Sequence, residues 1–291
     1  MRLVTGVQTC ALPISAVVNK NENILKKIDI AKHKHIDGHC PNISHRELNA
    51  YLSCGVRTDH ESENAKEALL KVSRGMYVML REGSAARNLK DILPAVTKNN
   101  SGRFLFCTDD RHIDDLLESG SIDNCIRISI KQGLSPIKAF IMASFNAAKC
   151  YGLADRGAIA PGYKADLVLF EDLKNLNIIK VIKNGKEYKE LSGTKNVDLK
   201  IKSSMHMDFI DSEIFKVESN AKAVNVIKLI PNSVQTKLVQ RKTESELGYI
   251  KRVVEKDVLK IAVIERHHNT GKHFVGFIEG LGLKQDRKSV V

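Results

Sequence analysis

Between residues 31 and 150 the chain alternates short runs of strand character with longer stretches whose apolar residues recur at helical spacing. The runs Lys34–Gly38, Gly55–Asp59, Met76–Arg81 and Phe104–Thr108 predict strands. Ser44 predicts a helix cap, with Glu47 three residues on as in a capping box and the helix running to Leu52. Ser62–Arg74, rich in Glu, Ala, Lys and Leu, predicts a second helix that stops at Gly75. Ala85–Lys98 and Pro136–Tyr151 repeat the pattern, the last with Ser135 as its cap. Strand–helix units in this order imply a parallel sheet with right-handed crossovers, either half of a barrel or a small doubly wound sheet.

After Tyr151 the pattern changes. Turn signals at Pro161-Gly162 and Asn184-Gly185 bracket the apolar runs Ala165–Phe170 and Ile178–Ile182, which predicts antiparallel sheet. A third region, residues 191–285, is expected to mix strands with helices, and carries the polar run Glu265-Arg266-His267-His268-Asn269-Thr270-Gly271. The two ends fit none of this. Residues 2–14 lead into no predicted helix or strand, and both they and residues 286–291 match translations of a short-read sequencing adapter. Residues 1–14 and 286–291 are therefore expected to stand outside the fold, as an expression tag would. The expected divisions are 15–150, 151–190 and 191–285.

Composition narrows the class. No apolar run approaches the roughly 20 residues that span a bilayer, and no secretory signal opens the chain, so a cytoplasmic protein without membrane contact is expected. The six cysteines form no Cys-x-x-Cys pair, which argues for reduced thiols over a disulfide framework or a structural zinc cluster. A formal charge of +12 raises the question of an acidic partner. The lysines are scattered, however, and no basic–aromatic interleaving suited to stacking bases is present, so nucleic acid is not the expected partner.

Polar residues gather where each predicted strand ends: His39 in Asp-Gly-His, His60 and Glu61 in Thr-Asp-His-Glu, Arg81, Glu82 and Ser84 in Arg-Glu-Gly-Ser, and Asp109 and Asp110 in Asp-Asp-Arg-His. In parallel α/β architectures ligands and catalytic groups collect at the carboxyl ends of strands. Two imidazoles and a carboxylate from three such ends would suit zinc, iron or manganese. Each residue also has a plainer reading: the histidines as capping or core residues, Asp109 and Asp110 as caps of the next helix, Glu82 as a partner of Arg81 or Arg87. The repetition at four successive strand ends favours a site, because such groups are costly to bury unpartnered.

At these positions the chain resembles the adenine deaminases of the amidohydrolase superfamily. The matching words are IDGHCPNISHRELNAY (36–51), TDHESENAKEAL (58–69), RGMYVMLREGSAARNLKDILP (74–94), RFLFCTDDRHIDDLLESGSID (103–123) and DRGAIAPGYKADLVLFEDL (155–173), with ERHHNTG (265–271) and VGFIEGLGLK (275–284) beyond them. The resemblance implies an α/β fold: the C-terminal half of a (β/α)8 TIM-type barrel, then a small β-sandwich segment and an incomplete α+β C-terminal domain. It implies hydrolysis of adenine to hypoxanthine and ammonia at a binuclear manganese or iron centre, and a homo-oligomer when full length. By motif position, His39, His60 and Asp109 are the implied metal ligands. Asp109 is also implied to take the proton of the attacking water, and Glu61 to donate one to the purine ring, with His60 beside it. Arg81, Glu82 and Ser84 are implied to shape the base pocket.

Two departures qualify this. Cys40 follows His39 where the family usually has a small residue. The family's His-x-His pair and bridging carboxylate belong upstream, and His33-Lys34-His35 does not stand in for them. The fragment is accordingly expected to bind at most one metal and to be inactive alone. The alternatives are another amidohydrolase acting on a related base or cyclic amide, or a non-catalytic basic scaffold.

Overall fold

The computed structural model describes residues 12–173, 175–188, 205–208, 211–219, 221–233 and 235–283. They divide into two compact units, Met1–Glu190 and Leu191–Val291. The first is built on a parallel sheet of β1 (Leu12–Pro13), β2 (Asp37–His39), β3 (Thr58–Asp59), β4 (Tyr77–Arg81) and β5 (Phe104–Cys107), which lie side by side in sequence order. No reversal of strand order interrupts them, so the sheet is wound in one direction, as in a barrel rather than a doubly wound sheet. The register pairs Gly38 with Asp59, Asp59 with Val78, and Arg81 with Cys107. All carboxyl ends therefore face one side.

The helices follow the predicted pattern with instructive shifts. Before β2 come α1 (Ile14–Val18) and α2 (Glu22–Ala31), the latter capped by Asn21. Residues 12–14 thus lie within the fold, correcting the expectation that the opening segment leads into no strand or helix: Leu12 and Pro13 pair with Gly38 and His39 along the edge of β2. The rest of both terminal segments lies outside the described residues. Then α3 (His45–Ser53) opens on the Ser44–Glu47 capping box. α4 (Ala65–Ser73) begins later than expected, capped by Asn64, because the Ser62 hydroxyl donates to Asp59.

The long helix expected at 85–98 shrinks to α5 (Leu89–Ile92) and a 3-10 turn at Leu93–Ala95, where Pro94 stands. Two helices the pattern did not predict follow β5, α6 (Ile113–Ser119) and α7 (Ile122–Lys131). The last predicted helix is broken at Ser144, whose backbone leaves the helical region, into α8 (Pro136–Ala143) and α9 (Phe145–Cys150).

One apolar core joins Val78, Leu80, Phe104 and Phe106 to Leu89, Ile92, Ile126 and Met142. A second gathers Val17, Ile28, Ile36, Leu48, Tyr51, Val56 and Met76. Met79 and Leu105 turn to the opposite face, where Cys150 and Ala147 pack on them. Next, β6 (Leu167–Phe170), β7 (Ile178–Lys183) and β8 (Lys186–Glu187) form an antiparallel sheet. Asn184 and Gly185 both take positive φ at its hairpin, as the turn signal anticipated.

The second unit holds β9 (Ala223–Leu229), β10 (Thr236–Lys242), the hairpin of β11 (Ser245–Glu246) and β12 (Tyr249–Ile250), β13 (Val258–Ile264) and β14 (His273–Glu279). Four of them make a sheet in the order β10-β9-β14-β13, in which only the β14–β9 pair is parallel. Among its described residues the helices expected for an α+β region are represented only by 3-10 turns at Ser212–Phe215 and Val254–Lys256.

Beneath the strand ends of the first unit lies a fully buried ion set. Lys71 Nζ stands 2.7 Å from Asp59 Oδ2, 2.7 Å from Glu67 Oε1 and 3.0 Å from Ser62 Oγ. Burial alone would raise the Asp59 pKa, but the Lys71 ammonium and the bonds from Cys40 and Ser62 hold it below its ordinary value. Burial alone would lower Lys71, which Asp59 and Glu67 instead raise to about 12. The Asp59 contribution to stability is thus complete above the unfolded carboxyl pKa of about 3.9, and is lost as the pH falls through the folded value. That of Lys71 is complete below an unfolded value of about 10.4 and is lost as the pH rises through its folded value.

Lys71→Met should cost about 3–5 kcal/mol at neutral pH, because it strands buried carboxylates. It also reverses the sign for Asp59, whose pKa would then exceed the unfolded value. Urea unfolding at descending pH should therefore show the deficit shrinking between about pH 7 and pH 4. A deficit independent of pH would contradict this account.

Candidate metal centre

The side chains at the strand ends converge because their strands are parallel and in register. Gly38 leaves room for this: a Cβ there would meet Val56 Cγ1 at 2.7 Å and the Thr58 carbonyl closer still. His39 is fixed through its backbone N–H, which donates to the hydroxyl of fully buried Tyr51 at 2.9 Å. Its Nδ1 lies 3.5 Å from Glu61 Oε1. His60 Nε2 lies 3.6 Å from the same oxygen, and its Nδ1 stands 3.5 Å from Asp37 Oδ2. Asp37 is itself held by the Thr58 hydroxyl and by the Gly38 N–H. One ligand atom from each of His39, His60 and Glu61 lies within 4.8 Å of the others.

Burial alone would lower the His60 pKa, but Asp37, with Asp59 and Glu61 nearby, raises it. The Asp37 contact orients the ring and leaves Nε2 toward Glu61, an arrangement in which a carboxylate sets the ligating nitrogen of a histidine. Two imidazoles and a carboxylate are a donor set for zinc, iron or manganese rather than for calcium or magnesium.

Arg81, almost fully buried at the end of β4, gathers the carboxylates. Its Nη1 pairs with Glu61, and its Nη2 lies 2.8 Å from Asp109 Oδ2 and 2.9 Å from Asp110 Oδ1. Asp109, in the left-handed region at φ 46°, thus reaches the histidine group through Arg81, whereas the carboxylate lying directly between the two imidazoles is that of Glu61. Three carboxylates sharing one guanidinium leave the pocket electronegative.

The remaining expected residues brace this arrangement. The buried Glu82 carboxyl is pushed up by burial, against the pull of Arg87, Arg111 and Lys90. Ser84 hydrogen-bonds Asp115 and accepts from the His112 N–H at 2.8 Å, so it ties the loop after β4 to α6 and makes no bond to the histidine group. Cys40 turns away: its thiol donates to Asp59 at 3.3 Å, and burial pushes its pKa far up, so it is no ligand here.

Several site residues escaped the reading of the sequence. Asp37 sits two residues before His39, on the same face of β2, a spacing that could have flagged it. Asp110 was read with Asp109 at the strand end, but its bonds were not foreseen: it accepts the N–H groups of Ala85 and Ala86 while binding Arg81. A Cβ on Gly83 would overlap its carboxylate, which accounts for the glycine in Arg-Glu-Gly-Ser. Tyr51 and Lys71 gave no local signal, since each looks like an ordinary helix residue.

The model of the Amidohydrolase family matches residues 5–188, and that of the Adenine deaminase C-terminal domain matches residues 233–287. Adenine deaminase 2 of Carboxydothermus hydrogenoformans is 43% identical over 274 residues, 92% of this chain and 48% of that protein. The adenine deaminase of Bacillus pumilus is 42% identical over 278 residues, with the same coverage of each. The chain spans about half the length of these curated relatives. Among solved structures, an amidohydrolase from Thermotoga maritima MSB8 is similar at 18% identity with a TM-score of 0.43, over 60% of this chain and 54% of that one.

Any metal held by this group would compete with Arg81 for Glu61 and Asp109, both of which Arg81 pairs with. Replacing it in Arg81→Met removes a cation from beside the donor group, at distances where unit charges interact by several kcal/mol in a partly buried site. Cobalt(II) titration should therefore find affinity raised about tenfold or more, the equivalent of about 1.4 kcal/mol. A fall in affinity would show that Arg81 builds the site instead of restraining it.

Proposed function

The chain belongs to the amidohydrolase family, and from that premise we propose that it forms part of an adenine deaminase, which converts adenine and water to hypoxanthine and ammonia. The observation that carries this is the His39–His60–Glu61 donor group at the ends of consecutive parallel strands. The adenine deaminase C-terminal domain match and the relatives named adenine deaminase supply the base.

The residues present fit a divalent metal, with manganese or iron as the proposed occupants. His39 and His60 would hold it, joined by Asp109 once that carboxylate leaves Arg81. A bound metal would lower the pKa of water and supply hydroxide at neutral pH for attack at C6 of adenine. Asp109 would accept the proton released by that water, and Glu61, buried between the imidazoles, would deliver a proton to the purine ring. The exocyclic amine then departs as ammonia once it has gained a proton from one of these carboxyls. Arg81 and Glu82 would bound the base pocket, with Ser84 holding their loop.

The resemblance to adenine deaminases implies a pair of divalent metals, and a second ion needs donors beyond the three gathered here. We therefore propose that the chain alone holds one metal and does not turn over. No described helix is long and apolar enough to cross a membrane. Many lysines are matched by carboxylates, among them Lys164 with Asp155 and Lys183 with Asp166, which supports a small-molecule partner over nucleic acid. A cytoplasmic homo-oligomer acting in purine metabolism completes the reading.

The test is a chimera: residues 15–283 replace the matching half of the Carboxydothermus relative, and the manganese-loaded protein is assayed for hypoxanthine and ammonia. The chimera should deaminate adenine in preference to guanine or cytosine. Asp109→Asn within it should lower kcat by about a thousandfold, the scale of removing an acid–base group that also binds metal. No turnover by a folded, metal-loaded chimera would sink the reading, and retained activity in Asp109→Asn would sink the role given to that residue.

A further inference from the structure

Lys71 lies in α4, on a helix and not at a strand end itself, and takes no part in the chemistry proposed above, yet it is fully buried. An ammonium has three hydrogens. Each meets one acceptor here: Asp59 Oδ2, Ser62 Oγ and Glu67 Oε1. Asp59 also accepts from the Ser62 hydroxyl and the Cys40 thiol, and both carboxylates accept from backbone. Asp59 accepts the N–H of Cys40 at 3.0 Å and that of Glu61 at 3.2 Å. Glu67 accepts the N–H of Asn42 at 2.9 Å and that of Glu63 at 3.1 Å.

Those four amides belong to two segments. Cys40 and Asn42 follow His39 after β2, while Glu61 and Glu63 follow His60 after β3. One ammonium thus joins, through two carboxylates, the two loops that present the donor group. We propose that Lys71 is the positioning residue of the metal centre, holding the 39–42 and 60–63 loops in the relative placement that lets His39, His60 and Glu61 meet.

An apolar residue could fill the same volume, but would leave Asp59 and Glu67 as unpaired buried charges with no reason to keep their places. An arginine would bring a planar fork in place of three divergent donors. The consequence for metal binding rests on the metal reading above; the pinning of the loops does not.

Two measurements on the full 291-residue chain test this. The first is hydrogen exchange at the Cys40, Asn42, Glu61 and Glu63 amides, and the second is the visible absorption of bound cobalt(II). In Lys71→Met those four amides should exchange roughly a hundredfold faster than in Leu89→Ala, a core truncation that removes none of the bonds to Lys71, Asp59 or Glu67. Cobalt affinity should fall by about tenfold or more, as for the loss of a residue that orients ligands, with a changed band shape. Leu89→Ala should keep the parent's band.

Should Lys71→Met fail to fold, Glu67→Gln serves. It preserves the Lys71–Asp59 pair and leaves an amide oxygen for Lys71 and Asn42, but puts an NH2 donor opposite the Glu63 N–H, so exchange should quicken at Glu63 while Cys40 and Glu61 stay protected. Four amides no faster than in the control, or an even loosening in Glu67→Gln, would overturn the proposal. A parent chain without cobalt absorption would overturn the metal reading, while the amide pattern would still decide the role of Lys71.

Discussion

A charged lysine enclosed with two carboxylates, at zero exposure, is the constraint on which the site depends. Burying such a set is expensive unless every charge is paired and every remaining hydrogen-bonding position is filled. Here the filling is done by the backbone of the loops that carry the donor group. The cost of leaving Asp59 or Glu67 short of a partner is therefore what makes those loops rigid. The energetics of burial and the geometry of the site are one fact.

A second charge centre stands above the first. Arg81 draws Glu61, Asp109 and Asp110 together, and Asp110 in turn holds the amides of Ala85 and Ala86. The loop after β4 is consequently not free to form the helix its composition favours, and α5 starts only at Leu89. The two sets are joined at Glu61, whose amide is bound by Asp59 and whose carboxylate is bound by Arg81. Glu61 is positioned from both ends, which fixes its carboxylate between the two imidazoles.

Much of this was legible in the chain because parallel strands announce themselves by periodicity and place their polar terminators together. His39, His60, Glu61, Arg81, Glu82, Ser84 and Asp109 were read that way as strand-end residues, and the structure places them at or just after those ends; the Ser44–Glu47 cap and the Asn184-Gly185 hairpin were also legible. What stayed hidden depends on partners distant in sequence. Glu67 and Lys71 stood unmarked in a stretch rich in Glu, Ala, Lys and Leu, and only their pairing with Asp59 and with each other shows them turned inward. Ser62 read as a helix start and is instead a ligand of that set. The short α5 reflects the bonds of Asp110 to the Ala85 and Ala86 amides, which override propensity, and the strand at Leu12–Pro13 shows only in its pairing with β2, which no local pattern records.

The central claim is that His39 and His60 present their imidazoles to one metal ion. X-ray absorption at the zinc edge, on the chain loaded with one equivalent of zinc, tests it most directly. The account predicts scattering from two imidazoles with Zn–N distances of about 2.0–2.1 Å, the remaining ligands being oxygen. Loss of the imidazole signal to one ring in His39→Ala, and likewise in His60→Ala, would complete the assignment. A first shell of oxygen alone, or a two-imidazole spectrum unchanged by both substitutions, would contradict it.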